Sequence, residues 1–183
     1  MTEATTAPDL DELRRQLSQH IRVFQDFPSA GITFQDLCGV LTVPSLVRGM
    51  AEAMAAGYPN GFDVVVAVEA RGFVLGTAVA QVSDRPLVLA RKKGKLPGPV
   101  HTTAYGLEYG TAMLEMQQGA VSAGERALVV DDVLATGGTL AATAELIRRG
   151  GADVAGHAVV LDIGALEGTR RLAPDRVLSI LTV

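Results

Sequence analysis

Two adjacent carboxylates, Asp131 and Asp132, stand between an apolar run, Ala127–Val130, and a turn of small residues, Ala135–Thr139. A glycine turn that opens a helix offers free backbone N–H groups, and such groups bind phosphate. Carboxylates repel phosphate and instead suit sugar hydroxyls, or water on a divalent cation. The pattern therefore predicts a phosphate site with groups for a sugar or a hydrated cation beside it. A purely structural turn is the alternative.

Positive charge follows two other apolar runs of the chain. Arg71 comes shortly after Phe62–Val68, and Arg91–Lys95 places four cations in five positions. Taken alone, Arg71 would be a surface residue at a strand end, and the basic run a solvated loop or a nucleic-acid patch. The net charge of −4 argues against nucleic acid, as does the lack of aromatic residues among the cations. A phosphate ligand would suit Arg71, because guanidinium groups donate to oxyanions in a planar fork.

Several other chemistries lack the residues that they need. The chain has no Gly-x-Gly-x-x-Gly, no Gly-Lys-Ser/Thr, no Gly-x-Ser-x-Gly and no His-Glu-x-x-His. His20, His101 and His157 lack the spacing of metal ligands, and Cys38 is the single cysteine. Neither a disulfide framework nor a cysteine zinc cluster is expected. A reducing cytoplasm is the default location.

Length and composition are those of one ordinary domain. The 183 residues are 48% hydrophobic and 20% charged, so one domain over residues 1–183 is expected. No apolar run reaches the ~18 residues of a membrane span, so no membrane partner is expected. Residues 1–8 read as a flexible polar tail without a secretory pattern.

The apolar patterns predict an α/β fold. Helical spacing is expected after Asp9, after Pro44, over Gly72–Gln81 and over Gly138–Arg149. Short continuous apolar runs between these helices are typical of strands that are covered on both faces, as in a parallel sheet. Their positions are Phe62–Val68, Pro86–Ala90, Ala127–Val130 and Val154–Leu161. Thr111–Gln118 alternates and is predicted as a strand nearer the surface. The expected architecture is a mostly parallel, twisted sheet flanked by helices.

Val129–Leu140 resembles the sequence with which type I phosphoribosyltransferases bind PRPP, 5-phosphoribosyl 1-diphosphate. Other segments are similar to members of that family that act on adenine. They are DFPSAGITFQD at Asp26–Asp36, EARGFVLG at Glu69–Gly76, RKKGKLPGP at Arg91–Pro99 and YGLEYG at Tyr105–Gly110. The resemblance covers all but the tail and about the last dozen residues. It implies the type I phosphoribosyltransferase fold, with a small hood over the base site.

The resemblance implies a role for each residue of the predicted PRPP site. Asp131 and Asp132 would contact the ribose 2′- and 3′-hydroxyls. The 5′-phosphate would bind Ala135, Thr136, Gly137, Gly138 and Thr139. Arg71, Arg91 and Lys92 would neutralise the pyrophosphate. Lys95 would approach when a mobile lid, at about residues 93–107, closes over PRPP.

The resemblance also implies a base site under a hood at about residues 24–43. The backbone of Thr33 and Gln35 would read the edge of adenine, and Phe34 and Leu134 would sandwich its ring. Glu108 would contact N7 and handle the proton. Gln35 and the Cys38-Gly39 pair depart from residues that are common in relatives. The second departure bears on the rigidity of the hood.

The implied reaction is the attack of adenine N9 on C1′ of PRPP, which gives AMP and pyrophosphate in purine salvage. Mg²⁺ is the implied cofactor, held mainly by PRPP and water, and a homodimer is the implied assembly. One alternative is a phosphoribosyltransferase for another purine base. A second is a non-catalytic module that senses PRPP or a nucleotide, but a transcriptional sensor would need a DNA-binding appendage. No helix-turn-helix pair precedes the hood segment.

Overall fold

The computed structural model describes residues 9–107 and 110–183, and the side chains of residues 106–111 lie outside this description. The helices are α1 (Leu10–His20), α2 (Cys38–Leu41), α3 (Pro44–Ala56), α4 (Gly72–Ser83), α5 (Gly138–Arg149) and α6 (Gly168–Leu172). The strands are β1 (Arg22–Phe24), β2 (Phe34–Asp36), β3 (Val64–Val68), β4 (Leu87–Lys92), β5 (Val100–Leu107), β6 (Gly110–Gln117), β7 (Arg126–Leu134), β8 (Asp153–Asp162) and β9 (Val177–Thr182). A 3₁₀ turn spans Gly164–Leu166.

Seven of these strands form one sheet in the order β5-β6-β4-β3-β7-β8-β9. The strands from β4 to β9 in that order are parallel, and β5 and β6 add an antiparallel hairpin at one edge. β1 and β2 pair separately as a small antiparallel ribbon. The α/β fold with a mostly parallel sheet, predicted from the continuous apolar runs, is confirmed.

Both faces of the sheet are covered, which explains why its central strands lack polar alternation. Val130 packs in a core with Leu17, Met50 and Leu75, from α1, α3 and α4. The adjacent residue, Val129, packs with α5 on the opposite face. Both valines are fully buried, since neighbouring side chains of a strand point to opposite faces.

One predicted boundary, the end of β7, differs from the structure. β7 continues through Leu134, so the two aspartates belong to the strand and do not follow it. The predicted lid at residues 93–107 includes β5, which pairs with β6 from Val100 opposite Gln117 to Leu107 opposite Gly110. Only residues 93–99 of that range form an irregular connection. The predicted lid therefore combines an irregular connection with a strand that is paired along one edge.

The helix α1 begins as predicted at Asp9, whose carboxylate accepts the N–H groups of Asp11 at 3.0 Å and Glu12 at 3.3 Å. The Glu12 side chain accepts hydrogen bonds from the side chains of Arg15 and Gln16. The described ranges contain no helix that is long and apolar enough to cross a membrane.

Candidate active site

The candidate site lies at the carboxyl ends of β3, β4 and β7, in the middle of the sheet. From β3 the chain crosses through α4 to β4, whereas from β7 it crosses through α5 to β8 on the other side. The carboxyl ends of β3 and β7 therefore flank a point where the direction of winding reverses. Open α/β sheets bind ligands in the crevice at such a point.

The turn at residues 135–139 forms one wall of the crevice. Gly137 has φ +76°, a left-handed conformation that favours glycine, and it caps the amino end of α5. Its carbonyl accepts the N–H of Ala141 at 2.9 Å, which starts the helix. Residues Val133 to Leu140 line a concavity of about 70 Å³, and Thr136 is exposed. The turn is therefore open to a ligand and presents the positive end of a helix to it.

Asp131 and Asp132 lie together at the end of β7, and both are buried. Burial, and then the negative charge of Asp132, raises the pKa of Asp131 well above its usual value. A methyl group on Gly72, the first residue of α4, would lie 2.8 Å from Asp131 Oδ1. The absence of a side chain at Gly72 thus lets β7 and α4 approach closely around this carboxyl.

Arg71 pairs with Asp132 across the crevice, through its Nε and the Oδ2 of the carboxylate. The same guanidinium lies 5.8 Å from the centroid of the Phe34 ring. A guanidinium over an aromatic face is attracted to it. Arg71, which is itself predicted to bind pyrophosphate, therefore links the acids to the hood.

Glu69, the residue after β3, holds the basic segment in place, and its role was not predicted from the sequence. Its carboxylate accepts the backbone N–H of Lys92 at 2.9 Å and lies 3.4 Å from both Nε and Nη2 of Arg91. Burial acts to raise its pKa, but these two partners outweigh burial and lower it. Arg91 also donates to the carbonyl of Lys95 at 3.1 Å. The signal that could have found Glu69 is a carboxylate directly after an apolar strand.

The cations of the basic segment differ in their surroundings. Arg91 is partly buried and lies 5.8 Å from the centroid of the Phe73 ring, whereas Lys92 and Lys95 are exposed. In the connection that follows, the N–H of Gly94 donates to the buried carboxylate of Glu115 at 2.8 Å. Contacts within the protein thus orient Arg91 without any ligand, whereas the two lysines face solvent.

The hood consists of the β1–β2 ribbon, the connection between its strands and α2. Phe34 is half-buried and meets the exposed Phe27 edge-to-face, with 5.0 Å between ring centroids. The Thr33 side chain donates to the Gln25 side chain at 2.8 Å. Gln35 lies opposite Val23 in the ribbon. The structure therefore brings the three predicted hood residues together beside Arg71.

A carboxylate fixes the turn from the ribbon into α2. Asp36 accepts the backbone N–H of Cys38 at 2.9 Å and pairs with Arg22 at 2.7 Å. The N–H of Cys38, and to a lesser extent Arg22, lowers the pKa of Asp36 to about 2. Cys38 and Gly39, which differ from residues that are common in relatives, thus lie in the short helix α2, and Asp36 holds its first N–H group.

The structure contradicts the prediction that Leu134 contacts a ring beneath the hood. Leu134 has 0% exposed surface and packs in the core with Leu140 and Leu172, on the face covered by α5. The half-buried Val133 instead packs against the core that includes Leu37 of the hood. Apolar character alone did not distinguish these two neighbours at a strand end. Val133 is the better candidate for this contact.

Glu108, the predicted proton-handling residue, lies outside the described residues. The strands that flank it are described, and they place Tyr105 on β5 as a buried residue.

Asp131 and Asp132 also fit the donor set of a magnesium site. Mg²⁺ keeps several water ligands and is commonly bound through one or two carboxylates together with substrate phosphates. Among residues 9–107 and 110–183, no group of three or more His, Cys, Asp or Glu side chains is arranged to hold a metal by itself. The pair therefore suits a cation that arrives with a phosphorylated ligand.

Comparison with known proteins identifies relatives over nearly the whole chain. Residues 42–182 match the model of the phosphoribosyl transferase domain. The adenine phosphoribosyltransferase of Renibacterium salmoninarum is 42% identical over 171 residues, which are 93% of this chain and 94% of that protein. The one from Saccharopolyspora erythraea is 47% identical over 173 residues, 94% of this chain and 93% of that protein.

Solved structures show the same similarity. The adenine phosphoribosyltransferase of Rhodothermus marinus superposes with a TM-score of 0.89 at 40% identity, over 94% of this chain and 99% of that one. The Saccharomyces cerevisiae enzyme, complexed with an imino-altritol bisphosphate and adenine, has a TM-score of 0.88 at 31% identity. That match covers 93% of this chain and 99% of the other.

Proposed function

Because this chain belongs to the adenine phosphoribosyltransferase family, we propose that it transfers the 5-phosphoribosyl group of PRPP to N9 of adenine. The products are AMP and pyrophosphate, and the reaction serves purine salvage. The observation that carries this proposal is the open glycine turn at the start of α5, which follows two buried acids, one of them paired with Arg71.

The turn supports the proposed grip on the 5′-phosphate through backbone N–H groups and threonine hydroxyls. Ala135, Thr136, Gly137, Gly138 and Thr139 would surround the phosphate at the amino end of α5. The side chains of Thr136 and Thr139 are small, so the ligand can approach the backbone closely. This contact fixes one end of the sugar and so orients C1′ toward the hood.

Asp131 and Asp132 are proposed to contact the ribose hydroxyls at the other end of the sugar. The raised pKa of Asp131 shows that two negative charges are costly in this buried place. Sugar hydroxyls donate to carboxylates, and the positive charge that develops on the sugar as pyrophosphate departs is favourable beside them. The pair would therefore hold the transition state more tightly than the substrate.

Arg71, Arg91 and Lys92 are proposed to stabilise the departing pyrophosphate. Arg71 would exchange the Asp132 carboxylate for a pyrophosphate oxygen, and Glu69 already orients Arg91 and the backbone of Lys92. Lys95, in the proposed lid at about residues 93–107, would add its charge when the lid covers the ligand. The exclusion of water would also protect PRPP from hydrolysis.

Magnesium bound to the oxygens of PRPP would supply additional positive charge beside the leaving group. The residues that fit as its nearest neighbours in this chain are Asp131 and Asp132, acting through water or the ribose hydroxyls. This role agrees with a cation held mainly by substrate and solvent.

The adenine ring is proposed to lie between Phe34 and Val133, with its edge toward the backbone of Thr33 and Gln35. Extended backbone offers donors and acceptors that match the alternating groups on a base edge. Glu108 is proposed to stabilise the charge that moves through the purine as N9 attacks C1′.

The assembly and location that fit this function are a homodimer in the cytoplasm. α4 exposes Val74 (46%) and Val82 (43%), one helical stripe that a second copy could cover. Cys38 is exposed and is the chain's single cysteine, so the fold needs no oxidising compartment. Analytical ultracentrifugation of the purified protein tests the dimer.

The test of the function is formation of AMP from PRPP and a panel of free bases, with and without Mg²⁺. Adenine is expected to give AMP and stoichiometric pyrophosphate, with hypoxanthine and guanine far poorer substrates. Preference for a 6-oxopurine would assign a different base. A folded protein that binds PRPP yet releases no pyrophosphate with any base would instead support a sensing module.

A further inference from the structure

Gly137, in the phosphate turn, and Gly168, which lies far from it in the sequence, are in direct backbone contact. A methyl group on Gly137 would lie 2.7 Å from the carbonyl oxygen of Gly168. A methyl group on Gly168, the first residue of α6, would lie 3.0 Å from the nitrogen of Gly137 and would overlap the carbonyl oxygen of Ala135. The turn and the start of α6 therefore pack backbone against backbone, and Gly168 is buried.

The absence of a side chain at Gly168 determines where the Ala135 carbonyl can point. Its oxygen lies on the α6 side of the turn, in the space that a Cβ at position 168 would fill. A carbonyl oxygen carries partial negative charge and would repel an anion. Turning it toward α6 leaves N–H and hydroxyl groups for the open side of the turn, where Thr136 is exposed.

The segment that carries Gly168 has little freedom to move away. The N–H of Ile163 donates to the carbonyl of Leu134 at 2.9 Å, and the N–H of Gly164 donates to the carbonyl of Val183 at 2.9 Å. Leu172, at the other end of α6, is buried in the core with Leu134. A clash at position 168 would therefore displace the turn at residues 135–137, because the opposing side is anchored at both ends.

We infer that Gly168 is a positioning residue for the phosphate turn: it touches no substrate, but its missing side chain sets the path of residues 135–137. This inference rests on the proposed function, in which the turn binds the 5′-phosphate of PRPP. Gly168 does not need a left-handed backbone, so alanine there is opposed by the contact alone.

Gly168→Ala and Gly164→Ala form a matched pair, since each adds one methyl group in the connection after β8. At Gly164 the added group would lie 3.3 Å from Thr182 Cγ2 and 3.6 Å from the carbonyl oxygen of Val183. We expect Gly168→Ala to raise KM for PRPP, and Kd for ribose 5-phosphate by calorimetry, about tenfold to a hundredfold. KM for adenine should stay within about twofold, and Gly164→Ala should resemble the parent protein in every respect.

Wild-type affinity for ribose 5-phosphate in a folded Gly168→Ala protein would overturn the inference. Equal losses for PRPP and adenine would do the same, because they would indicate general damage. Failure of the parent protein to bind ribose 5-phosphate or to form AMP would instead overturn the proposed function on which the inference rests.

A measurement on the parent protein decides the matter if Gly168→Ala does not fold. Ribose 5-phosphate is added to ¹⁵N-labelled protein, and the backbone amide shifts are followed. The amides of Gly168 and Thr169 are expected to shift together with that of Gly137, while Gly164 stays in place. Shifts at Gly137 without any at Gly168 would show that the contact does not respond to the ligand, and would overturn the inference.

Discussion

Arg71 and Asp132 form an ion pair between the ends of β3 and β7, and so join the two halves of the candidate site. In the proposed reaction each has a separate partner, the pyrophosphate for Arg71 and the ribose for Asp132. The pair therefore keeps both groups satisfied until the substrate takes over their contacts. A buried carboxylate without a partner would be costly, and the arginine relieves that cost in the absence of ligand.

The double variant Asp131→Asn with Asp132→Asn should weaken binding of PRPP more than binding of adenine. The acids are proposed to hold the ribose hydroxyls, and adenine lies under the hood. We expect about a tenfold or larger loss for PRPP by calorimetry, since charged hydrogen bonds contribute about 1.5–3 kcal/mol each. A greater loss of adenine affinity would reassign the pair.

Substitution of Glu69 separates positioning from charge. Glu69→Ala removes the acceptor for Lys92 N–H and for Arg91, whereas Glu69→Gln keeps an acceptor and removes only the charge. We expect kcat/KM for PRPP to fall about tenfold in the alanine variant and no more than about threefold in the glutamine variant. Glu145→Gln, which alters an exposed pair with Arg149, is the control. Equal effects of both Glu69 variants would refute the positioning role.

Val133 and Leu134 should respond differently to truncation. Val133→Ala should raise KM for adenine with little change in KM for PRPP, because Val133 lies on the hood side of β7. Leu134→Ala should lower the free energy of unfolding by about 2–5 kcal/mol, as for other buried leucines. Kinetics and urea unfolding of both variants check this. An adenine effect confined to Leu134→Ala would restore the original assignment.

Glu108→Ala should lower kcat strongly while PRPP binding remains near normal. The proposed role of this carboxyl is exercised only as N9 attacks, so its loss affects the transition state more than the ground state. A loss of about a hundredfold in kcat is expected for a general acid–base group. Steady-state kinetics alongside calorimetry with PRPP measure the two effects. Unchanged turnover would remove Glu108 from the mechanism.

His157 should make the stability of the fold depend on pH. Its ring is fully buried, with Nε2 3.4 Å from Asp175 Oδ2, and Arg148 pairs with the same aspartate. Burial lowers the pKa of His157 below 6.5, outweighing the opposite effect of Asp175. The unfolded chain therefore takes up a proton first as pH falls. The stability that neutral His157 contributes is present above about pH 6.5 and is lost below that pH, by at most about 1.4 kcal/mol per pH unit.

Thermal unfolding at pH 7.5 and 5.5 tests the role of His157. The difference in Tm between these values should shrink in His157→Asn relative to the parent protein. His101→Asn, at a partly buried position on β5, provides the control. An identical pH dependence in His157→Asn and the parent would exclude the histidine as the titrating group.

Sequence patterns predicted the helices and strands whose burial is reflected in the local spacing of apolar residues. β3 is a run of buried valines, and α5 follows a glycine turn with a regular apolar stripe. The pairing of β5 with β6 was not predicted, because it depends on a partner strand and the residues of β5 include glycine and several polar side chains. The lid at about residues 93–107 came from the family resemblance and stays a prediction.

The predicted site shows the same division. The acids and the turn were selected because each is unusual at the end of an apolar run, whereas Arg71 was selected through the family resemblance. Glu69 and Gly168 were missed, since the significance of each depends on a group that is distant in the chain. The choice of Leu134 over Val133 was wrong because neither residue type nor spacing shows which side chain faces the hood.

The proposed binding of the 5′-phosphate by main-chain amides has a consequence for the pH dependence of the enzyme. Amide N–H groups at the start of α5 do not titrate, so acid or alkali cannot switch them off while the fold persists. Any sensitivity of turnover to pH would then arise from the carboxyls, the lysines, the base or the phosphate groups. The anchor for the sugar tail would stay constant across conditions in which the catalytic side chains change their charge.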